Sequence, residues 1–382
     1  MKIEIVHEIS AIPAEIWNGL VGDHPFQQHA FLDGLERCGC VGGDSGWTPA
    51  HIVLRAGDTI CGVVAAYVKN HSMGEYVYDF SWARAAQSYG IPYYPKLVVT
   101  SPFSPVEGPR LHAKTSAYRL ALAEAIPRVA QDLGCVGAHV LFPYSYECTL
   151  LENAGAFTRT GLQFHWENHS YKTFDDYLND LRSRRRKEVR RERRAVTDAG
   201  ITTRVLAGEE IPAAYTADIY TFYEQTHQNY GWTGYLNEAF FTHLHTYMRE
   251  NLVFCGAYRG EALIGGAFCL RDAKRLYGRY WGAREDIDQL HFETALYGPI
   301  AWSIQEGIQV IEPGAGGQHK FRRGFMPRKT YSNHWHFEPA FHRALAEFSE
   351  RERAAIDEHI QELTIQSTPF RRNDDEVTTR EK

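Results

Sequence analysis

Two stretches of this chain, far apart in sequence, carry the same pattern. Ala50-His-Ile-Val-Leu-Arg-Ala-Gly57 runs into Thr59-Ile-Cys-Gly-Val-Val-Ala-Ala-Tyr-Val68, and Leu252-Val-Phe-Cys-Gly-Ala-Tyr-Arg259 runs into Ala262-Leu-Ile-Gly-Gly-Ala-Phe-Cys-Leu270. Gly57-Asp58 and Gly260-Glu261 stand at the two reversals, and apolar β-formers around such a pair read as hairpins. A helical pattern follows in each half, Ala117 to Leu133 and Thr294 to Gly307, and then a short apolar strand, Ala138-His-Val-Leu-Phe142 and Gln309-Val-Ile311. Strand pair, helix and strand, twice over, predict an α/β fold of two similar halves with mixed sheets. The length of 382 residues, too great for one ordinary core, agrees with that division.

The expected layout is a first domain over 1–165, a second over 166–340, a helix over 341–364 and a disordered charged tail over 365–382. Phe341, Leu345, Phe348, Ile356, Ile360 and Leu363 share one face of that last helix, which is expected to dock on the second half. No segment approaches the roughly 18 apolar residues a membrane span needs. The N-terminus alternates like a strand rather than like a secretory leader, so the expected compartment is the cytoplasm. Seven cysteines without a CxxC pair fit reduced, buried thiols and no metal site.

Charge is unevenly placed. Nine basic residues between Arg182 and Arg194, set against Glu188 and Glu192, give a local +7; with a formal net charge of −6, the rest of the chain carries −13. The pattern predicts one Arg-rich helix over 174–198, with acids in its first turn as the helix dipole favours and a thin apolar edge of Leu178, Leu181, Arg185 and Val189. Such a helix can be a solvated surface laced by Glu–Arg pairs, or a phosphate-contacting surface built from Arg184, Arg185, Arg186, Lys187, Arg190 and Arg191.

The densest chemistry lies between Leu276 and Phe337. An aromatic strand with Arg279, Tyr280 and Trp281 is followed by the box Leu290-His-Phe-Glu293, a glycine turn, Pro313-Gly-Ala-Gly-Gly317, and the cationic exit Gln318-His-Lys-Phe-Arg-Arg323. Glycines let backbone approach a ligand, and the cations that follow favour an anionic one.

The runs Tyr94-Pro-Lys-Leu97, Pro102-Phe-Ser-Pro-Val-Glu-Gly-Pro-Arg-Leu111, Gln163-Phe-His-Trp-Glu-Asn168, Tyr277-Gly-Arg-Tyr-Trp-Gly282, Leu290-His-Phe-Glu293 and His319-Lys320 with Arg323-Gly-Phe325 occur in this order over most of the chain. Together they resemble the FemAB-like N-acyltransferase family, related to the Fem peptidyltransferases. The resemblance implies two tandem GNAT-like domains and transfer of an acyl group to an amine. In the Fem relatives the donor is aminoacyl-tRNA and the acceptor a peptidoglycan precursor. Relatives read Gly-Ala-Gln-Gly-Glu-His-Lys through the glycine turn, where this chain has Gly314-Ala-Gly-Gly-Gln-His-Lys320, so a carboxylate is an amide at Gln318.

Amide formation needs a neutral amine, a polarised carbonyl and a stabilised oxyanion. Glu293 is expected to hold the acceptor ammonium and take its proton, against a structural reading as an ion pair with Arg279 or Arg284. Lys320 is expected to stabilise the oxyanion or a phosphate, and His319 to relay a proton. Substrate-binding residues are expected at Arg279, Tyr280, Trp281, Tyr297, Gly316, Gly317, Gln318, Arg323 and His165, with at most one of Arg322 and Arg323 reaching inward. His319, His334 and His336 could imitate a zinc triad, but no matching carboxylate spacing accompanies them. The expected partners are aminoacylated tRNA and an amine-bearing acceptor, with no cofactor and no DNA. Acyl-CoA is the competing donor, and the pyrophosphate loop it commonly needs has only near misses at Arg275 and Arg279. A non-catalytic ligand-binding protein is the third reading.

Overall fold

The computed structural model describes residues 1–371 apart from Tyr230 and Trp232, so most of the charged tail lies outside the described residues. The chain divides into two compact units that are not successive in sequence. One comprises Met1–Leu162, Tyr235–Met248 and Lys329–Asp357; the other comprises Gln163–Gly234, Arg249–Arg328 and the chain from Glu358.

In the first unit, Lys2–Val6, His51–Ala56, Thr59–Val64 and His112–Ala113 form a four-stranded sheet in that order. The first hairpin turns at Gly57, whose φ of 59° is open to glycine without strain. The run expected as one strand to Val68 instead divides: Ala66–Lys69 joins a second sheet, pairing with Trp47–Pro49 and Lys96–Val99. That sheet continues through Gly137–Leu141, parallel to Lys96–Val99 and antiparallel to the strand ending at His336. The helix Ser116–Asp132 buries Leu122, Ile126 and Val129 against both sheets' apolar faces.

The second unit is built on an antiparallel meander of Ile201–Ala207, Leu252–Arg259, Ala262–Arg271 and Arg275–Ala283. Val310–Glu312 adds parallel to the last of these, and the end of the strand Phe157–Glu167 pairs antiparallel with Val310–Glu312. The second hairpin turns at Gly260, as the pattern implied.

Three expectations about helices are corrected. The Arg-rich helix is two helices, Phe174–Asp180 and Ser183–Asp198, because Leu181 and Arg182 take extended backbone between them. Thr173 and Asp176 form a capping box on the first helix, and Val189, Glu192 and Val196 make the inward face of the second. The C-terminal helix spans Pro339–Gln366, and its Phe341 and Leu345 pack on Trp82, Ala86, Tyr93 and Phe157 of the first unit rather than on the second. Residues just beyond it are ordered: Phe370 bridges to Leu181, and Arg182 N donates to Pro369 O at 2.9 Å.

Candidate functional site

A cleft of about 430 Å³ opens in the second unit. Its walls come from the helix Tyr215–Asn229 (Thr226, Asn229), the central strands (Ala267, Cys269, Gly278, Arg279, Tyr280, Trp281), the helical turn with His291, Ala295 and Leu296, and the glycine turn with His319 and Lys320. Register explains why Arg279 faces it. Phe268 pairs with Tyr280 and Cys269 with Gly278, so Arg279 is the extra residue of a β-bulge, a device that re-aims a side chain. The helix wall also departs from regularity: Glu293–Tyr297 form a π-turn between the α-helical pieces Leu290–Phe292 and Gly298–Gln305, a feature common at functional sites.

The glycine turn is shaped by position. Gly317 has φ 92°, and a Cβ there would lie 2.7 Å from His319 Cε1 and 3.2 Å from Lys320 Cε, so no other residue fits without displacing both. Lys320 is buried, and its Nζ donates to the carbonyls of Pro313 at 3.1 Å, Gly314 at 3.0 Å and Ala315 at 3.4 Å. Burial, reinforced by the Arg279 charge, lowers its pKa to about 8. The ammonium therefore holds the turn together while bringing positive charge to the cleft. Burial, with the charges of His319, Lys320 and Arg323, pushes His291 down to about 4, and burial with the Lys320 and Arg323 charges lowers His319 as well. Both shifts keep the imidazoles neutral near pH 7. Among the described residues that line the cleft there is no carboxylate.

Of the residues expected at the site, the structure brings together Arg279, Tyr280, Trp281, Gly316, Gly317, His319 and Lys320. Trp281 is fixed by Nε1 donating to Thr294 Oγ1 at 2.8 Å. The others go elsewhere. The carboxylate of Glu293 is gripped by Arg193, Nε to Oε2 at 3.0 Å and Nη2 to Oε1 at 3.0 Å, so its ion-pair partner is neither Arg279 nor Arg284. Arg323 leaves the rim for the interior, where Nη2 and Nε bind Glu192 at 2.6 and 3.1 Å and Nε donates to Tyr297 Oη at 2.7 Å, while Arg322 stays exposed. Tyr297 is consumed by the same cluster, donating to Glu192. His165 is buried against Gln163 at 3.1 Å, and Gln318 is exposed beside the cleft rather than lining it. His334 and His336 belong to the first unit and His319 to the second; His334 packs on His139, ring centroids 4.4 Å apart.

On the Arg-rich helix, Arg184, Lys187, Arg190, Arg191 and Arg194 are exposed. Arg185 pairs with Glu188 at 2.8 Å, Arg186 donates to Asn179 at 3.0 Å, and Arg190 lies 3.6 Å from Asp175. Sequence reasoning passed over His291, although it sits in the Leu290–Glu293 box, and Thr226 and Asn229, which no local pattern announces. It also passed over Glu192, whose 3/4 spacing from Val189 and Val196 was the available signal of an inward-facing acid.

A profile of the FemAB-like family, described as peptidoglycan biosynthesis/recognition, matches residues 8–372. The chain belongs to the FemAB-like family. Solved structures of the same fold include FemX, 8% identical over 91% of this chain and 100% of that one with a TM-score of 0.53. L-PGS from Bacillus licheniformis is 10% identical over 90% of this FemAB-like chain and 98% of its own, again with a TM-score of 0.53. A conserved protein of unknown function from Bacteroides thetaiotaomicron, 11% identical over 87% and 99%, also gives 0.53. At such identities the likeness is one of fold, which in this chain is α/β with mixed sheets and the C-terminal helix Pro339–Gln366. Comparison with curated proteins finds no match. No helix among the described residues of this FemAB-like protein is long and apolar enough to cross a membrane.

Proposed function

We propose that this protein is a cytoplasmic N-acyltransferase that moves an aminoacyl group from aminoacyl-tRNA to an amine of a cell-wall precursor or small molecule. The observation that carries the reading is the second unit's cleft, with Arg279 and Lys320 beside a glycine turn, two neutral imidazoles and no carboxylate among its described lining residues. Cationic groups in a partly dry cleft stabilise the oxyanion that forms when the amine nitrogen attacks the ester carbonyl. The new C–N bond forms as the ester C–O bond breaks. His319 takes the proton the amine loses, and the departing ribose oxygen receives one in return. Lys320 contributes charge and holds the turn through its carbonyl bonds. Glu293, committed to Arg193, has no part in this scheme. The exposed cations of the Arg-rich helix supply phosphate contacts for the tRNA.

The test is incubation with pooled, labelled aminoacyl-tRNAs and a small-molecule extract, scoring label that survives mild base. An ester releases its label in base and an amide does not. Label that is stable, and whose formation is abolished by prior RNase treatment, supports the reading. No stable label beside an active control enzyme overturns it in favour of acyl-CoA or simple binding. Arg184→Ala, Lys187→Ala and Arg191→Ala combined should flatten the salt dependence of tRNA binding, by about 0.7 in slope for each phosphate that is no longer neutralised.

A further inference from the structure

Two consecutive residues of the Arg-rich helix, the buried Glu192 and the partly exposed Arg193, each take hold of a different wall segment of the cleft. Glu192 is 5% exposed and receives the forked guanidinium of Arg323 together with the Tyr297 hydroxyl. The remaining nitrogen of Arg323, Nη1, donates to His319 O at 2.9 Å, directly behind the glycine turn. The same guanidinium lies 3.5 Å over the Phe292 ring, so the arginine is fixed from three sides. Arg193 grips Glu293, the first residue of the π-turn whose last residue is Tyr297. Ala295 and Leu296 of that turn line the cleft, as do His319 and Lys320 on the other side. One helical turn thus holds both walls.

Packing does not require this arrangement. Val189 and Val196 already give the helix an apolar seat, and a buried ion pair adds little stability over apolar packing of the same volume. What the ion pair adds is a fixed geometry between the helix and the glycine turn.

We infer that Glu192 is a positioning residue: through Arg323 it couples the seating of the Arg-rich helix to the glycine turn, so that a polyanion bound on the helix's outer face resets the cleft. The polyanion half of this inference rests on the proposed role of that helix in phosphate contact; the positioning half does not.

The experiment reads the cleft without needing the substrate. The full chain is labelled with trace acetic anhydride across a pH range, and mass spectrometry follows the reactivity of Lys320 against exposed lysines away from the Arg-rich helix, such as Lys114 and Lys274. Glu192→Gln keeps the volume and loses the charge. It is expected to change Lys320 labelling at pH 7 by about 5-fold, the scale of a modest coupling between sites. Val196→Ala, which loosens the same helix seat but leaves both ion pairs, is expected to leave Lys320 labelling unchanged although it unfolds more easily. Oligoadenylate is expected to alter Lys320 labelling in the wild type and not in the Glu192→Gln variant.

Equal Lys320 labelling in wild type and folded Glu192→Gln protein overturns the positioning role. Tyr297→Phe, which removes only the hydroxyl that donates to Glu192 and accepts from Arg323, decides the same point should Glu192→Gln fail to fold: a smaller shift in the same direction supports the role and no shift overturns it. Oligoadenylate that binds without changing Lys320 labelling overturns the coupling. Oligoadenylate that does not bind removes the phosphate reading of the helix, and the Glu192→Gln and Tyr297→Phe results alone then decide the positioning role.

Discussion

Lys320 makes the burial argument measurable. Its side chain is 6% exposed, and the pKa falls from 10.5 to about 8 because the charge has been taken out of water beside Arg279. In the unfolded chain this lysine keeps its proton up to the usual value; in the folded chain it releases it near pH 8. Between those values the unfolded state binds more protons, so this one group makes the folded state more stable as pH rises. The shift corresponds to about 3 kcal/mol at full extent, of which about 2–3 kcal/mol should appear between pH 7 and pH 10.

Lys320→Met keeps the length and apolar stem of the side chain and abolishes the titration. Urea unfolding of both proteins at several pH values, followed by tryptophan fluorescence, gives the difference between the two stability curves and cancels every other titrating group. The wild type should gain about 2–3 kcal/mol on the variant from pH 7 to pH 10. The same variant should lose the base-stable label transfer, since the glycine turn loses the donor that its carbonyls of Pro313, Gly314 and Ala315 share. Parallel stability curves, with a difference constant within about 0.5 kcal/mol, would mean that Lys320 titrates like a surface lysine and that the cleft is wetter than its packing implies.

Two further outcomes follow from buried charges. In the first unit Lys96 Nζ lies 2.9 Å from Glu75 and 2.5 Å from Asp79, all three nearly inaccessible, and the carboxylates of this pair with His139 form the one metal-spaced group among the described residues. The ammonium lies between the carboxylates, with Lys69 Nζ a further 3.7 Å contact to Glu75, so Lys96→Met should cost about 3–5 kcal/mol at pH 8 by leaving the buried Asp79 without its ammonium. Burial raises Glu75 to about 7 even with Lys96 beside it, and without that ammonium the carboxyl keeps its proton to higher pH, so the loss should shrink as pH falls from 8 toward 7; a loss under about 1 kcal/mol, or one independent of pH in urea unfolding, refutes this reading. Glu293→Gln should lower stability by about 1 kcal/mol while label transfer stays within several-fold of wild type, because its carboxylate answers Arg193 and not the cleft. Abolished transfer with unchanged stability would place that carboxylate in the chemistry.

What could be read from sequence was what local chemistry decides. Both hairpin turns were legible because a glycine with positive φ between two β-forming runs has few alternatives, and the glycine turn was legible for the same reason. The break between Asp180 and Ser183 was not, since Leu181 and Arg182 are good helix formers and the interruption comes with pairing to Pro369 and Phe370 near the other end of the chain. The same limit governed the site. Arg279, Tyr280, Trp281 and Lys320 reach the cleft through a bulge and a turn that their own neighbours build. Glu293, Tyr297 and Arg323 carry chemistry that suits a cleft equally well, but their partners Glu192 and Arg193 lie in a segment that reads as a solvated cationic surface. The run's excess of positive charge hides the fact that its register puts one acid on the buried face. An acid at 3/4 spacing from two valines inside a basic helix must be neutralised where it is buried, and the nearest segments with spare cations are those that wall the cleft. By that rule Glu192 announces an inward partner before any coordinates are known, and the expectation that Arg323 serves the substrate gives way to one in which it serves the helix.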